Sequence, residues 1–154
     1  MKKKYTLIFI SKDNKILLGL KKRGFAFGKY TLVGGKVEPG ETIEEGARRE
    51  VFEESNLDVR DLKKIAVLDF VWPDKKNPDM EVHLFKTNNF SGQLADNDEI
   101  SPSWFEIDKL PYKKMLDDNK YWFPLVLKDQ KFQAQFLFDK HDKVISHNIK
   151  IETP

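Results

Sequence analysis

Short apolar runs separated by polar turns dominate the chain and predict a sheet-rich fold. Residues 4–10 and 15–21 are two such runs, and the polar segment Ser11–Asn14 between them predicts a turn. A short strand is expected at Tyr30–Val33, inside a glycine-punctuated stretch. The segments KKIAVLDFVW, MEVHLFKTNNF and SPSWFEIDKL predict further strands, and a final hairpin is expected to turn about Lys140–Lys143.

Two segments have the pattern of helices. Pro39-Gly40 predicts a turn, and Thr42 followed by Glu45 matches the T-x-x-E capping box that begins a helix. That helix should end near Ser55, and NKYWFPLVLKDQ predicts a second one. Because no repeat or linker interrupts this order, the sequence predicts one α+β domain over residues 1–154, with a mixed sheet and about two helices.

The composition narrows the class of protein. Cysteine is absent, which removes disulfides, thiolate nucleophiles and Cys-ligated zinc, and 27 basic against 25 acidic residues leave a formal charge of +2. A nucleic-acid-binding surface would carry a concentrated basic stripe instead. The apolar run Tyr5–Ile10 is shorter than the apolar region of about 7–15 residues in a signal peptide. We therefore expect a cytoplasmic protein that binds neither nucleic acid nor membrane.

Glu50, Glu53 and Glu54 concentrate negative charge on the first predicted helix. Positions i, i+3 and i+4 share one helix face, with about 5–6 Å between Cβ atoms. The apolar stripe beside them consists of Ile43, Ala47 and Val51. Its burial would hold the carboxylates at the edge of the core, where a divalent cation such as Mg²⁺ or Mn²⁺ would relieve their repulsion. A solvated acidic face paired with Arg48 and Arg49 is the alternative for an isolated E-x-x-E-E.

The surrounding residues favour the metal site, because the whole stretch resembles the signature box of the Nudix hydrolases. That box reads G-x5-E-x7-R-E-U-x-E-E-x-G-U, where U is aliphatic. Eight of its nine specified positions match at the correct spacing: Gly35, Glu41, Arg49, Glu50, Val51, Glu53, Glu54 and Leu57. Asn56 replaces the glycine that follows the helix end, where asparagine is the usual second choice for a left-handed residue. The resemblance implies the Nudix fold, an α/β/α sandwich.

The resemblance also implies roles for the matched residues. Glu50, Glu53 and Glu54 would bind the divalent metals together with the backbone carbonyl of Gly34. Arg49 would orient these carboxylates, and Glu41 would support the loop through Arg49. The metals would polarise a bridging phosphate and activate a water molecule that attacks phosphorus. Four carboxylates are candidates for the general base, and the sequence does not choose among them: Glu50, Glu53, Glu54 and Glu99.

Segments outside the box resemble one branch of the family, the animal-type MutT homologues that hydrolyse oxidised purine nucleoside triphosphates. These segments are YTLIFI, ILLGLKKRGFAFGKY, DMEVHLF, WFEIDKLP and YWFPLVL. The resemblance implies a monomeric enzyme that cleaves 8-oxo-dGTP or 2-hydroxy-dATP to the monophosphate and pyrophosphate. Glu99 would be a further metal ligand, Lys21 would approach the sugar-phosphate side, and Gly34, Gly35 and Lys36 would frame the entrance to the metal site.

The same resemblance implies a base pocket, whose residues taken singly could equally belong to the core. They are Thr6, Phe25, Thr31, Val33, Phe70, Met80, Leu116, Asp118, Asn119 and Trp122. Three positions depart from the branch: Thr31 replaces asparagine, Leu116 replaces tryptophan, and Asn119 replaces the second of two adjacent aspartates. A carboxyl pair can shift protons to suit differently oxidised purines. With only Asp118 able to titrate, we expect greater selectivity between the two bases.

Three alternative functions remain open at the level of sequence. A Nudix pyrophosphatase for unmodified nucleotides, methylated purine triphosphates or capped RNA ends would have the same box. A non-catalytic nucleotide-sensing module is disfavoured by the complete set of carboxylates. The isopentenyl-diphosphate isomerase branch uses a cysteine, which this chain lacks.

Overall fold

The computed structural model describes residues 2–153, and over that range the chain forms ten strands and two α-helices, together with short 3₁₀ helices at Ile107–Lys109 and Tyr112–Lys114. The strands are β1 (Lys3–Lys12), β2 (Lys15–Lys21), β3 (Tyr30–Thr31), β4 (Asp58–Arg60), β5 (Lys63–Val71), β6 (Met80–Thr87), β7 (Asn89–Ser91), β8 (Ile100–Glu106), β9 (Phe132–Phe138) and β10 (Val144–Ile151). The helices are α1 (Ile43–Ser55) and α2 (Asn119–Leu127). No helix in residues 2–153 is both long and apolar enough to cross a membrane.

Eight strands form one mixed sheet in the order β10-β9-β5-β6-β1-β2-β3, with β8 also paired to β2. β1 runs parallel to β6 and β5 runs parallel to β9, whereas the other pairs in this sheet are antiparallel. β4 and β7 form a separate two-stranded sheet, which the sequence pattern did not predict because each strand has only three residues. The expected mixed sheet and the final hairpin are confirmed.

Side chains of β1 alternate between two apolar layers, one on each face of the sheet. Phe9 packs into the layer that contains Trp122 and Phe123 of α2. Ile8 and Ile10 pack into the layer that contains Ala47 and Val51 of α1. The two helices therefore cover opposite faces of the sheet. This arrangement confirms the predicted α+β class and its helix–sheet–helix layering.

Both ends of α1 have the local structure that the sequence predicts. At the start, the Glu45 N–H donates to the Thr42 side chain while the Glu45 carboxylate accepts from the Thr42 N–H, which completes the capping box. At the end, Asn56 is left-handed with φ 67° and its N–H donates to the carbonyl of Phe52. The Asn56 amide also donates to the carbonyl of Gln93. The helix that carries the three carboxylates is thus fixed at both ends.

We expect the left-handed position to tolerate glycine and to reject alanine. Asn56→Ala should lower the free energy of unfolding by about 1–2 kcal/mol, because a β-carbon without a local hydrogen bond is disfavoured there. Asn56→Gly should stay within about 0.5 kcal/mol of the wild type, since relief of backbone strain offsets the lost contact with Gln93. Urea denaturation of the three proteins measures the difference. Equal loss in both variants would show that the side-chain hydrogen bond, and not the backbone conformation, sets the stability.

Candidate active site

The loop before α1 lies directly against β1, and this close approach requires glycine at position 34. The Thr6 N–H donates to the Gly35 carbonyl at 2.8 Å, and the Ile8 N–H donates to the Val33 carbonyl at 2.9 Å. Gly34 has φ +150°, and a β-carbon there would lie 2.1 Å from the carbonyl oxygen of Thr6. The same tight turn points the Gly34 N–H at Glu54 Oε1, 2.9 Å away. Backbone packing therefore places this loop over the end of α1.

Arg49 connects the loop to the acidic face of α1. Its guanidinium makes two hydrogen bonds to Glu41, at 2.6 and 3.0 Å, and one to the carbonyl of Lys36 at 2.9 Å. It also donates to Glu50 at 2.9 Å and to Glu53 at 3.1 Å. These bonds raise the pKa of Arg49, and the bond from Arg49 is the main cause of the lowered pKa of Glu41. The guanidinium of Arg49 thus joins three carboxylates and a loop carbonyl.

Glu54 is the most buried carboxylate of the set, with 5% of its surface exposed. Burial raises the pKa of Glu54 to about 7, although the Gly34 N–H and the Lys21 ammonium act in the opposite direction. Burial also raises the pKa of Glu50, against the effect of Arg49. The charge of Glu99 contributes to raising the pKa of both glutamates. Repulsion among Glu50, Glu54 and Glu99 means that these side chains share one electrostatic site.

The donor chemistry of this site fits a hard divalent cation, because every side-chain donor is a carboxylate oxygen. Across residues 2–153, however, no three His, Asp or Glu side chains converge as a ready-made metal cluster. Each carboxylate has a protein partner instead: Glu50 and Glu53 accept from Arg49, Glu54 accepts from Gly34, and Glu99 pairs with Arg23 at 3.0 Å. Glu53 keeps 55% of its side chain exposed, so it can turn toward a cation without unfolding the helix.

An apolar cavity of about 200 Å³ opens beside the carboxylates. Glu54 borders it, so the cavity and the acidic face of α1 are continuous. The other residues that border it are Tyr5, Thr6, Leu7, Lys21, Phe25, Ala26, Thr31, Leu32, Gly34, Gly35, Phe70, Met80, Val82, Leu116, Asp118 and Asn119. A mostly apolar lining with a few polar groups is typical of small-molecule sites, in which the polar groups fix the orientation of the ligand.

Asp118 is the most unusual polar group of the cavity wall, because the residue is completely buried. Its Oδ2 accepts a hydrogen bond of 2.8 Å from the indole Nε1 of Trp122, whereas its Oδ1 has no hydrogen-bond partner within the described part of the chain. Burial raises the pKa of Asp118 to about 6, and the indole bond opposes that rise. The Asn119 amide is close enough to lower this pKa, although its geometry does not meet that of a hydrogen bond.

Most of the substrate-binding residues proposed from the sequence border the cavity, but three do not. Val33 is fully buried in the layer under α1 and does not border the cavity. Lys36 is exposed and contributes its carbonyl to Arg49. Trp122 is fully buried in the layer under α2 and contacts Asp118 from behind, so the structure does not bring its ring to the cavity. Among the proposed metal ligands, Gly34 and Glu54 border the cavity.

Sequence reasoning missed five residues that border the cavity, all of them apolar or aromatic: Tyr5, Leu7, Ala26, Leu32 and Val82. A signal for some of them was present. Tyr5 and Leu7 are separated by one residue in β1, so their side chains lie on the same face of the sheet. Val82 is paired with Tyr5 across the parallel strands β1 and β6. Ala26 gave no such signal, because it lies in an irregular loop where only the tertiary structure decides direction.

Comparisons with known proteins agree with this geometry. The sequence profile described as NUDIX domain matches residues 1–126. The chain is 44% identical over 144 residues to the oxidized purine nucleoside triphosphate hydrolase of Danio rerio, covering 94% of this chain and 92% of that protein. Identity to the enzyme of the same name from Mus musculus is 40% over 146 residues, covering 95% and 93%. A crystal structure of a mutator MutT protein from Bacillus halodurans superposes with a TM-score of 0.86 over 96% of this chain and 97% of that one, at 23% identity, which supports the fold alone.

Proposed function

The chain belongs to the Nudix family, and on that premise we propose that it hydrolyses oxidised purine nucleoside triphosphates to the monophosphate and pyrophosphate. The observation that carries this proposal is the continuity between an apolar cavity and the carboxylates of the Nudix box, which meet at Glu54. A purine base would enter the cavity while its triphosphate lies along the acidic face. Removal of such nucleotides keeps damaged bases out of DNA precursors.

The metal-binding side of the proposal follows from the donor set. Nudix hydrolases generally depend on divalent metals, and we propose Mg²⁺, with Mn²⁺ as a possible substitute. Glu50, Glu53, Glu54, Glu99 and the carbonyl of Gly34 would hold the metal. When bound, it would neutralise phosphate charge and activate water. Arg49 would keep Glu50 and Glu53 beside that position through its hydrogen bonds.

The base-binding side of the proposal follows from the size and polarity of the cavity. About 200 Å³ is less than the roughly 300–1,000 Å³ of cavities that enclose whole drug-sized ligands, so it suits a base and not a complete nucleotide. Phe25 and Phe70 supply aromatic surface, and Thr31, Asp118 and Asn119 supply hydrogen-bonding groups. Lys21 borders the same cavity and would contact the sugar-phosphate part. A purine base has apolar faces and hydrogen-bonding edges, so its chemistry matches this combination of aromatic and polar residues.

A pyrophosphate-release assay tests the proposal directly. We expect turnover with 8-oxo-dGTP or 2-hydroxy-dATP in the presence of Mg²⁺, and much slower turnover with dGTP. O6-methyl-dGTP belongs in the same panel, because a methylated purine triphosphate is the nearest competing substrate class. Equal turnover of dGTP and the oxidised nucleotides, or a preference for O6-methyl-dGTP, would contradict the assignment while keeping the chain a Nudix pyrophosphatase.

We also propose that the protein works as a monomer in the cytoplasm. The lack of cysteine suits a reducing compartment, in which disulfides are rare. Light scattering on the purified protein at assay concentration checks the oligomeric state, and a stable dimer would contradict this part of the proposal.

Asn119 should make the enzyme more selective between the two oxidised purines than a site with two adjacent carboxyls would be. A carboxyl pair keeps one member protonated and can exchange donor and acceptor roles, whereas an amide does not titrate. Asn119→Asp, alone or with Thr31→Asn, should therefore narrow the ratio of kcat/KM for 8-oxo-dGTP and 2-hydroxy-dATP. The expected change is a few-fold to about tenfold, the net worth of one hydrogen bond.

Measurements at several pH values, with Asn88→Asp as the control, complete this test. Asn88 is exposed and does not border the cavity, so the same chemical change there should leave the ratio unaltered. If the wild type already treats both nucleotides alike, proton exchange between adjacent carboxyls does not decide selectivity in this pocket.

A further inference from the structure

The two oxygens of Asp118 lie in different environments, although the residue as a whole is buried. Oδ2 is held by the indole N–H of Trp122 at 2.8 Å. Oδ1 is itself buried and has no hydrogen-bond partner among the described residues, and Asp118 borders the cavity. A buried polar atom without a partner is costly, and native proteins rarely keep one unless a ligand or water uses it. Oδ1 is therefore the carboxyl atom left for a ligand.

The chemistry of the indole decides where a proton on Asp118 can be. An indole N–H donates and cannot accept, so Oδ2 must act as the acceptor in both protonation states. In the neutral acid this bond favours the proton on Oδ1, because the carbonyl oxygen of a carboxylic acid is a better acceptor than its hydroxyl oxygen. Trp122 itself is fully buried and belongs to the packed layer under α2. Its indole is therefore held in place when a ligand enters the cavity.

We propose that Trp122 is a positioning residue for base recognition: its indole N–H fixes Oδ2 of Asp118 as an acceptor, so that Oδ1 alone is presented to the purine. Neutral Asp118 then offers one O–H donor at Oδ1, and ionised Asp118 offers one acceptor at the same place. This inference rests on the proposed function for the identity of the ligand, but the state of the carboxyl can be measured without any ligand.

Few other ionisable groups act on Asp118. Asp117 precedes it and raises its pKa, but Asp117 is itself paired with Lys120 and accepts from the Val144 N–H of β10. Lys21, Glu54 and Tyr5 border the same cavity. The indole bond is the strongest contact that lowers the Asp118 pKa against burial. Removing the N–H should therefore raise this pKa further.

The decisive experiment is a ¹³C NMR titration of the Asp118 carboxyl in the ligand-free wild type and in Trp122→Phe. The variant keeps an aromatic ring and loses the donor, so we expect the Asp118 pKa to rise by about one pH unit or more. The affinity for the product 8-oxo-dGMP can be measured by calorimetry without metal at a series of pH values. The pH at the midpoint of its change should move by the same amount as the Asp118 pKa. An unchanged Asp118 pKa in a folded Trp122→Phe protein would overturn the proposal.

Trp72→Phe is a closely matched control. Trp72 is also fully buried in the same apolar layer, and its indole also donates to an aspartate, Asp142, at 2.8 Å. The Trp72→Phe variant should lose about as much stability as Trp122→Phe, but the pKa of Asp118 should stay at its wild-type value. An equal shift in both variants would mean that loosened packing, and not the indole bond, controls the carboxyl.

A measurement on the wild type keeps the test decisive if Trp122→Phe does not fold. The indole N–H resonance of Trp122 should move with pH at the same midpoint as the Asp118 carboxyl, because the two groups share a hydrogen bond. If the chemical shift of the Trp122 indole N–H does not change as Asp118 titrates, the proposal is overturned. Failure to hydrolyse any oxidised purine would instead overturn the proposed function, and the ligand-free titration would still test the role of Trp122.

Discussion

Glu54→Gln should abolish metal-dependent turnover and leave the fold intact. Glu54 is the buried carboxylate at the junction of the cavity and the Nudix box, and glutamine has the same shape without the charge that a metal requires. Loss of groups that merely support metal ligands already costs about 10–100-fold. We therefore expect kcat to fall by at least about a hundredfold. Glu53→Gln should behave similarly, since Glu53 is the more exposed member of the same set.

Circular dichroism and thermal unfolding check that the Glu54→Gln fold survives. In the metal-free protein the pKa of Glu54 is raised from 4.5 to about 7, so the folded state binds a proton more tightly than the unfolded chain does. This group's contribution to stability consequently falls as the pH rises from about 4.5 to about 7. Glutamine does not ionise, so the variant does not lose stability over this pH range. It should therefore be at least as stable as the wild type at neutral pH.

Glu44→Gln is the control for these substitutions. Glu44 lies in the first turn of the same helix, and its side chain is exposed. The identical chemical change should leave turnover near the wild-type value. Turnover close to wild type in both Glu53→Gln and Glu54→Gln would remove the basis for placing the metal at the box.

Arg49→Lys should damage both stability and activity, although the charge is conserved. Arg49 bonds to Glu41 through two nitrogens while also holding Glu50, Glu53 and the Lys36 carbonyl, and a single ammonium cannot reproduce this fork. We expect the free energy of unfolding to fall by about 1.5–3 kcal/mol, the contribution of a hydrogen bond to a charged group. Turnover should fall by about 10–100-fold as the carboxylates lose their alignment.

Arg48→Lys is the control for Arg49→Lys, because it makes the same substitution at the adjacent position outside the hydrogen-bond network. Arg48 is the adjacent residue, but it is exposed and makes one ion pair, with Asp58 at 3.2 Å. Exposed pairs of this kind contribute little to stability, so the free energy of unfolding and the turnover should hardly change. Chemical denaturation and steady-state kinetics on both variants provide the measurements. If the two lysine variants behave alike, Arg49 does not organise the carboxylates.

The features that depend on local spacing could be predicted from the sequence. The capping box of Thr42 and Glu45, the left-handed Asn56 and the common face of Glu50 and Glu54 depend on helix geometry alone, which is the same in every protein. Short apolar runs bounded by polar turns likewise predicted the sheet, because runs and turns of this kind are visible in a few consecutive residues. The three-residue strands β4 and β7 escaped prediction because a period cannot be read from so few residues.

Only the tertiary structure decided what each aromatic or polar residue of the pocket does. Trp122 and Phe70 both lie in apolar segments, yet Phe70 borders the cavity and Trp122 supports Asp118 from behind. Tyr5 and Leu7 reach the cavity because β1 is laid beside β6, a pairing between segments far apart in the chain. The sequence by itself determined a Nudix hydrolase with its carboxylates on one helix face. Which groups are desolvated, and which oxygen of Asp118 lacks a hydrogen-bond partner among residues 2–153, depends on distant segments packing together, and burial of this kind has no local signature.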